Sequence, residues 1–268
     1  MTSDDRDPTS VAEPDEPESR SSSVSAAATE RRRKKHLPVW QETILLLAIA
    51  LVLAIVIKAL FVQAFYIPSE SMEPGLVKND RILVQKVSYW FGGTPQRGDV
   101  VVFKDPGGWL NAEESAGPTS ALGKALSKVG LYPSGGHLVK RVIGVAGDTI
   151  KCCDDQGRLM VNGQPLNEKE YARLGGADCY GPMPAGPSHC NWTVGPVPDG
   201  HIFVMGDNRN NSADSTVHMC LKTDRDCTKN PYVDVSDVVG KVFVLLWPSD
   251  RFTFLHRPDT FADVPDAS

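Results

Sequence analysis

Tyr66-Ile67-Pro68-Ser69-Glu70-Ser71-Met72-Glu73-Pro74-Gly75-Leu76 stands where a long apolar run gives way to a series of short β-like segments. Pro68 biases Ile67 towards extended backbone, and Pro74-Gly75 turns the chain soon afterwards. In extended backbone, residues two apart point to the same side, so Ser69 and Ser71 are expected to share a face. A Ser-x-Ser pair in a turn has no chemistry of its own. Its meaning depends on what lies on either side.

On the N-terminal side, the sequence from Ile44 to Ile67 is apolar except for Lys58 and Gln63. At 1.5 Å per residue, roughly twenty such residues cross the ~30 Å hydrocarbon core of a bilayer as a helix. A core helix this uniformly apolar needs protein on every side. A cleaved signal peptide is disfavoured by the long preceding segment and by the absence of a small-x-small site after the run. The reading is an uncleaved single-pass anchor over residues 37–65. Arg31-Arg32-Arg33-Lys34-Lys35 precedes it and keeps that side cytoplasmic. Residues 1–36, rich in Asp, Glu, Ser, Pro and Ala, are expected to be a disordered cytoplasmic tail. Everything from Tyr66 onward is then extracytoplasmic, in a protein of the cell membrane.

Residues 66–268 read as mainly β. Arg81 to Val87, Asp99 to Phe103, Leu138 to Val145, His201 to Met205 and Val239 to Leu246 are short, β-branched and bounded by turn formers. Asn162-Gly163 marks a tight hairpin. Residues 105–136, rich in Gly, Ser and Ala, look like an inserted loop, with a short helix expected from Ser120 to Val129. All six cysteines follow the anchor, which suggests disulfides in an oxidising compartment. Cys220 with Cys227 and Cys179 with Cys190 are plausible local pairs. The adjacent Cys152 and Cys153 leave the third open, since six cysteines allow fifteen connectivities.

Several chemistries lose ground. The net charge is −5 and the basic residues form no stripe with interleaved aromatics, so nucleic acid is a poor partner. There is no Cys-x-x-Cys pair, no His-Glu-x-x-His, no Gly-x-Ser-x-Gly elbow, no Ser-x-x-Lys and no Gly-rich phosphate loop. Neither a metal nor another cofactor is expected. A serine hydroxyl attacks only once a base removes its proton. His137, His189, His201, His218 and His256 are candidates, and so is Lys140 within Leu138-Val139-Lys140-Arg141-Val142-Ile143. In a dry pocket a lysine loses basicity, and lowering its pKa from about 10.4 to ~8 takes roughly 3 kcal/mol. A third polar stretch, Gly206-Asp207-Asn208-Arg209-Asn210-Asn211-Ser212-Ala213-Asp214-Ser215, follows a strand and could orient another side chain.

Together these stretches resemble the signal peptidase I family, membrane-anchored bacterial serine proteases that cleave signal peptides from exported preproteins. Four segments match in order: the Ser69-x-Ser71-Met72 box, Arg97 to Phe103, Lys140 to Gly144 through Gly147-Asp148, and Gly206 to Arg209 through Ser212 to Ser215. The resemblance implies an antiparallel β catalytic domain in two sheet regions. It implies Ser71 as nucleophile, Lys140 as general base, Ser212 holding the Lys140 amine, and Ser69 with the Ser71 N–H meeting the oxyanion. Asp207 and Arg141 become a supporting ion pair, with Asp214 beside them. Phe65, Ile67, Pro68, Ile82, His137 and Val139 become substrate-binding residues, selecting small residues at alternate positions of secretory preproteins. Membrane lipid and the protein-export translocase are the further partners considered. Two departures stand out: the family commonly has Asp where Asn210 stands and Arg where Thr216 stands, and that Arg pairs with the carboxylate matched by Asp214. Two other readings compete. Self-cleaving repressors share the Ser-Lys arrangement, but they are soluble and carry a DNA-binding domain. A membrane-tethered β-domain without catalysis would serve as a binding or scaffold protein.

Overall fold

The computed structural model describes residues 38–90, 92–110, 120, 123, 135–174, 192–220 and 228–267. The expected tail, most of the 105–136 loop with its short helix, and Cys179, His189, Cys190 and Cys227 lie outside those residues. The chain divides into two compact units, Met1–Leu46 and Leu47–Ser268, and every strand belongs to the second.

The apolar run forms helix α1, Val39–Phe61, of which Val39–Val56 is long and apolar enough to cross a membrane. Leu, Ile, Val and Ala cover the whole circumference of this span, as a lipid environment on all sides requires. The helix ends before the apolar run does. Val62–Tyr66 is already strand β1, so residues 62–65, expected within the anchor, belong to the sheet. Antiparallel pairing with β2, Arg81–Gln85, places Phe65 opposite Ile82 and satisfies the backbone in a ladder.

The remaining strands are β3 Val100–Lys104, β4 His137–Gly144, β5 Ile150–Cys152, β6 Met160–Val161, β7 Gln164–Pro165, β8 Trp192–Val194, β9 His201–Met205, β10 Val233–Asp234, β11 Val238–Trp247 and β12 Thr253–Phe254. They form a large sheet in the order β1-β2-β11-β3-β4-β9-β10, with β12 on β11, and a small sheet in the order β7-β6-β5-β8. This is the mainly antiparallel β architecture in two sheet regions that the resemblance implies. Strand β3 shows why Val100-Val101-Val102-Phe103 reads as continuously apolar. Val100 and Val102 enter one core cluster, while Val101 and Phe103 enter another on the opposite face.

The expected hairpin joins β6 to β7, with Asn162 and Gly163 at φ 51° and 82° in the left-handed region. Cys152 and Cys153 are bonded to each other, which settles the pairing the sequence left open. Cys220 is also disulfide-bonded. The last segment straps the two sheets together. Arg257 bonds Asp99 before β3, Thr260 Oγ1 accepts from Asn167 N at 2.8 Å, and Phe261 is buried against Tyr171. Two of the matched sequence boxes meet here as scaffold: Arg97 donates twice to Asp148, at 2.7 and 2.6 Å.

Candidate active site

Ser69 and Ser71 lie in the loop from β1 to β2. The loop is closed at its base by Ile67 N to Asp80 O and Asn79 N to Ile67 O, both 2.9 Å. Met72 and Leu76 fix it from beneath as buried members of the core. Between these anchors the backbone is turned rather than extended, with Glu73 N on Glu70 O at 3.2 Å and Leu76 N on Met72 O at 3.0 Å. The two hydroxyls nevertheless converge, their Oγ atoms 3.3 Å apart. The turn brings about what alternation along an extended strand was expected to do.

Lys140 is 4 % exposed on β4, and its Nζ donates to Ser71 Oγ at 2.7 Å. The described histidines are engaged elsewhere or lie in the open. His201 Nδ1 meets the Asp199 carbonyl at 2.8 Å, His218 stacks on Trp109 with ring centroids 4.5 Å apart, and His256 is exposed. The next residue, Arg141, is equally buried and reaches Asp207 through Nε and Nη2 at 2.8 and 2.6 Å. Its Nη1 takes the Gly98 carbonyl at 2.8 Å. Burial works against the Arg141 charge, yet Asp207 holds the guanidinium above its ordinary pKa.

The third stretch wraps over the Ser71 turn. Asn208 N donates to Ser71 O at 3.0 Å, and Asn208 Nδ2 donates to Glu70 O at 3.1 Å. Gly206 lies so close that a Cβ there would come within 2.4 Å of Ser71 O and 2.3 Å of Ser212 Oγ. Only glycine fits between them. Asp214 Oδ2 accepts from Gly206 N at 2.8 Å and from Ser212 Oγ at 2.7 Å. Its Oδ1 accepts from Thr216 N at 3.0 Å and Thr216 Oγ1 at 2.7 Å. With its proton committed to Asp214, Ser212 can meet an amine only as an acceptor. Asn210 is exposed.

Residues 40–247 match the family model for Signal peptidase, peptidase S26. The chain belongs to this signal peptidase family. Among relatives, the signal peptidase I of Mycobacterium tuberculosis is 39 % identical, over 85 % of this chain and 79 % of that protein. The signal peptidase I of Leptolyngbya laminosa is 32 % identical, over 93 % of this chain and 99 % of its own length.

Against the family pattern, the departure at Thr216 has a local explanation. Both of its donors land on the Asp214 oxygen that does not face Ser212, so the carboxylate is held without an arginine at that position. The residues proposed to face a signal peptide are also brought together. Phe65, Ile67 and Ile82 are buried in one cluster with Val139 packed against it, and His137 meets Phe65 with ring centroids 5.5 Å apart. Strands β1 and β4 are first and fifth along the large sheet, so this contact reflects the curl of the sheet. Pro68 is exposed beside them.

Sequence reasoning missed the segment after β7. Glu168, Tyr171 and Arg173 all reach this site, as does Arg209, which sits in a matched box without an assigned role. Glu168 stands in the polar run Asn167-Glu168-Lys169-Glu170, where nothing separates it from a surface residue.

Proposed function

We propose that this signal peptidase is a Ser-Lys endopeptidase that removes signal peptides from exported preproteins at small-x-small sites. The observation that carries the proposal is the 2.7 Å hydrogen bond between Lys140 Nζ and Ser71 Oγ, made in a pocket where both residues are buried. Burial works against the ammonium form of Lys140, which favours its use as a neutral base. That amine takes the Ser71 proton as Oγ attacks the scissile carbonyl, and returns it to the leaving amine. Water, activated by the same amine, then hydrolyses the acyl-enzyme. Negative charge on the carbonyl oxygen develops only during attack. The Ser69 hydroxyl and the Ser71 N–H, which has no acceptor among the described residues, are suited to meet it. Ser212, donating to Asp214, offers its lone pair to the Lys140 amine and so sets its direction.

The substrate adds as an extended strand between β1 and the start of β4. Two facts support this: β1 ends the large sheet, and β9 joins β4 only from Arg141 onward. Apolar walls from Phe65, Ile67, Ile82 and Val139 leave room for small side chains at alternate positions. With α1 across the membrane and the basic run inside, Ser71 follows the span by ten residues on the outer side. Trp247, Phe252 and Phe254, about half exposed, suit the lipid interface. The buried hydrogen bond from Lys140 to Ser71 speaks against a tethered domain without catalysis.

The test is cleavage of a preprotein bearing an Ala-x-Ala site by wild type and by Ser71→Ala, Lys140→Ala and Ser212→Ala. We expect Ser71→Ala and Lys140→Ala to lose at least ~10³-fold in kcat. Ser212→Ala should lose less, about 10- to 100-fold, because it orients the base rather than being it. The wild-type rate should rise with pH as the Lys140 amine loses its proton, with no effect of chelators. Equal cleavage by wild type and Ser71→Ala ends the proposal; persistence in Lys140→Ala transfers the base role to a histidine.

A further inference from the structure

The turn at Gly206 is gripped by Arg209 and, from the small-sheet side, by residues outside every matched box. Arg209 is fully buried, and one end of its guanidinium, Nη1, donates to the Gly206 carbonyl. The other end, Nη2, donates to Glu168 Oε1, which also accepts from the Tyr171 hydroxyl at 3.1 Å. The Tyr171 ring lies under both guanidiniums, Arg141 at 4.5 Å and Arg209 at 6.0 Å. The backbone of the same segment ties in directly. Arg173 N donates to Asp207 O at 2.8 Å, and Arg209 N donates to Arg173 O at 3.1 Å. Arg173 Nη1 also reaches Glu73 Oε2 at 2.8 Å, two residues past the nucleophile.

Two cations, Arg141 and Arg209, are thus balanced by two carboxylates, Asp207 and Glu168, around one aromatic ring. A planar guanidinium suits this double duty of bidentate bonding and stacking. Gly206, held through its carbonyl by Arg209, lies between Ser71 O and Ser212 Oγ with no room for a Cβ on that side. The place of Gly206 is therefore coupled to both the backbone of Ser71, whose hydroxyl meets Lys140, and the Ser212 hydroxyl.

We infer that Glu168 and Tyr171 are positioning residues of the peptidase reaction, setting through Arg209 and Arg141 the place of Gly206 against Ser71 and Ser212. The inference rests on the Ser-Lys reading above. The competing role is purely structural: Glu168 would only neutralise a buried arginine, and its loss would cost stability without altering the turnover of folded enzyme.

The experiment uses the full chain in detergent with an Ala-x-Ala peptide substrate, recording kcat, KM, the pH profile of kcat and the melting temperature. Glu168→Gln should lower kcat ~10- to 100-fold with KM within about twofold, a misplacement effect on the reacting groups. It also leaves the Arg209 charge unbalanced, which favours neutral Lys140, so the acid limb of kcat should move to lower pH. Glu168→Leu combined with Arg209→Leu removes both buried charges. It should regain melting temperature but not kcat, because the Gly206 carbonyl has lost its donor. If Glu168→Gln does not fold, the tyrosine decides: Tyr171→Phe keeps the ring and should stay within about threefold of wild type, whereas Tyr171→Leu should fall ~10-fold or more in kcat. A double variant that recovers wild-type kcat, or variants that melt earlier but turn over normally, would overturn the inference. Failure of the Ser-Lys reading shows separately, as wild type no better than Ser71→Ala.

Discussion

Asp207 and Asp214 stand seven residues apart around the same loop, both almost fully buried, and they are held in opposite ways. Asp207 is clamped by a bidentate ion pair with Arg141. The described partners of Asp214 are all neutral: two backbone N–H groups and the hydroxyls of Ser212 and Thr216. An ion pair buried this deeply fixes position, because loss of either partner strands a charge away from water. A carboxylate satisfied by hydroxyls instead leaves its polarity available to the groups that feed it. Here that group is Ser212. On the proposed Ser-Lys mechanism, the first carboxylate belongs to the frame and the second to the reaction.

The comparison can be broken experimentally. Arg141→Leu leaves Asp207 unpaired and should destabilise the fold by about 3–5 kcal/mol, read as a loss in chemical denaturation. If it melts like wild type, the frame is elsewhere. Asp214→Asn should cost less stability, about 1–3 kcal/mol, yet lower kcat ~10-fold or more by releasing the Ser212 proton donor, with KM little changed. A kcat equal to wild type would place Asp214 in the frame as well. Thr216→Val removes one of the four donors and should cost about 1 kcal/mol and a few-fold in kcat, with Thr216→Ser restoring most of both.

The smallest effect concerns Asp99, a third buried carboxylate, where burial raises the pKa but Arg257 and Lys241 outweigh it and hold the carboxyl below its usual range. Its stabilisation is fully present above the unfolded value of about 3.9 and is lost as pH falls through the lowered folded value. Asp99→Asn should therefore differ from wild type at pH 7, and the gap should narrow in acid below about pH 4.

The clamps on these carboxylates were legible to different degrees. Arg141 and Asp207 each lie in a motif, so the resemblance paired them, and the structure joins them. Thr216 was noticed only as a missing arginine, because a threonine's two donors aimed at one oxygen have no linear signature. Glu168 and Tyr171 were invisible. Both sit in a short stretch after a two-residue strand, too brief for any period to show, and their partners lie about forty residues away. Besides β1, which was read into the anchor, the strands missed in the sequence, β5, β8, β10 and β12, are likewise only two or three residues long.

By itself, the sequence determined the apolar helix, the long β-branched strands, the Asn162-Gly163 hairpin and the order of the motifs. These are local consequences of hydrophobic patterning and backbone preference, which neighbouring residues express without reference to the rest of the chain. Only the tertiary structure decided how a turn rather than a strand brings Ser69 beside Ser71, and where β1 replaces the helix. It also decided that Asp214 is held by neutral donors among the described residues while Asp207 is held by a cation. Those outcomes depend on which buried polar groups find partners across the fold, and a buried group must find one wherever in the chain it lies.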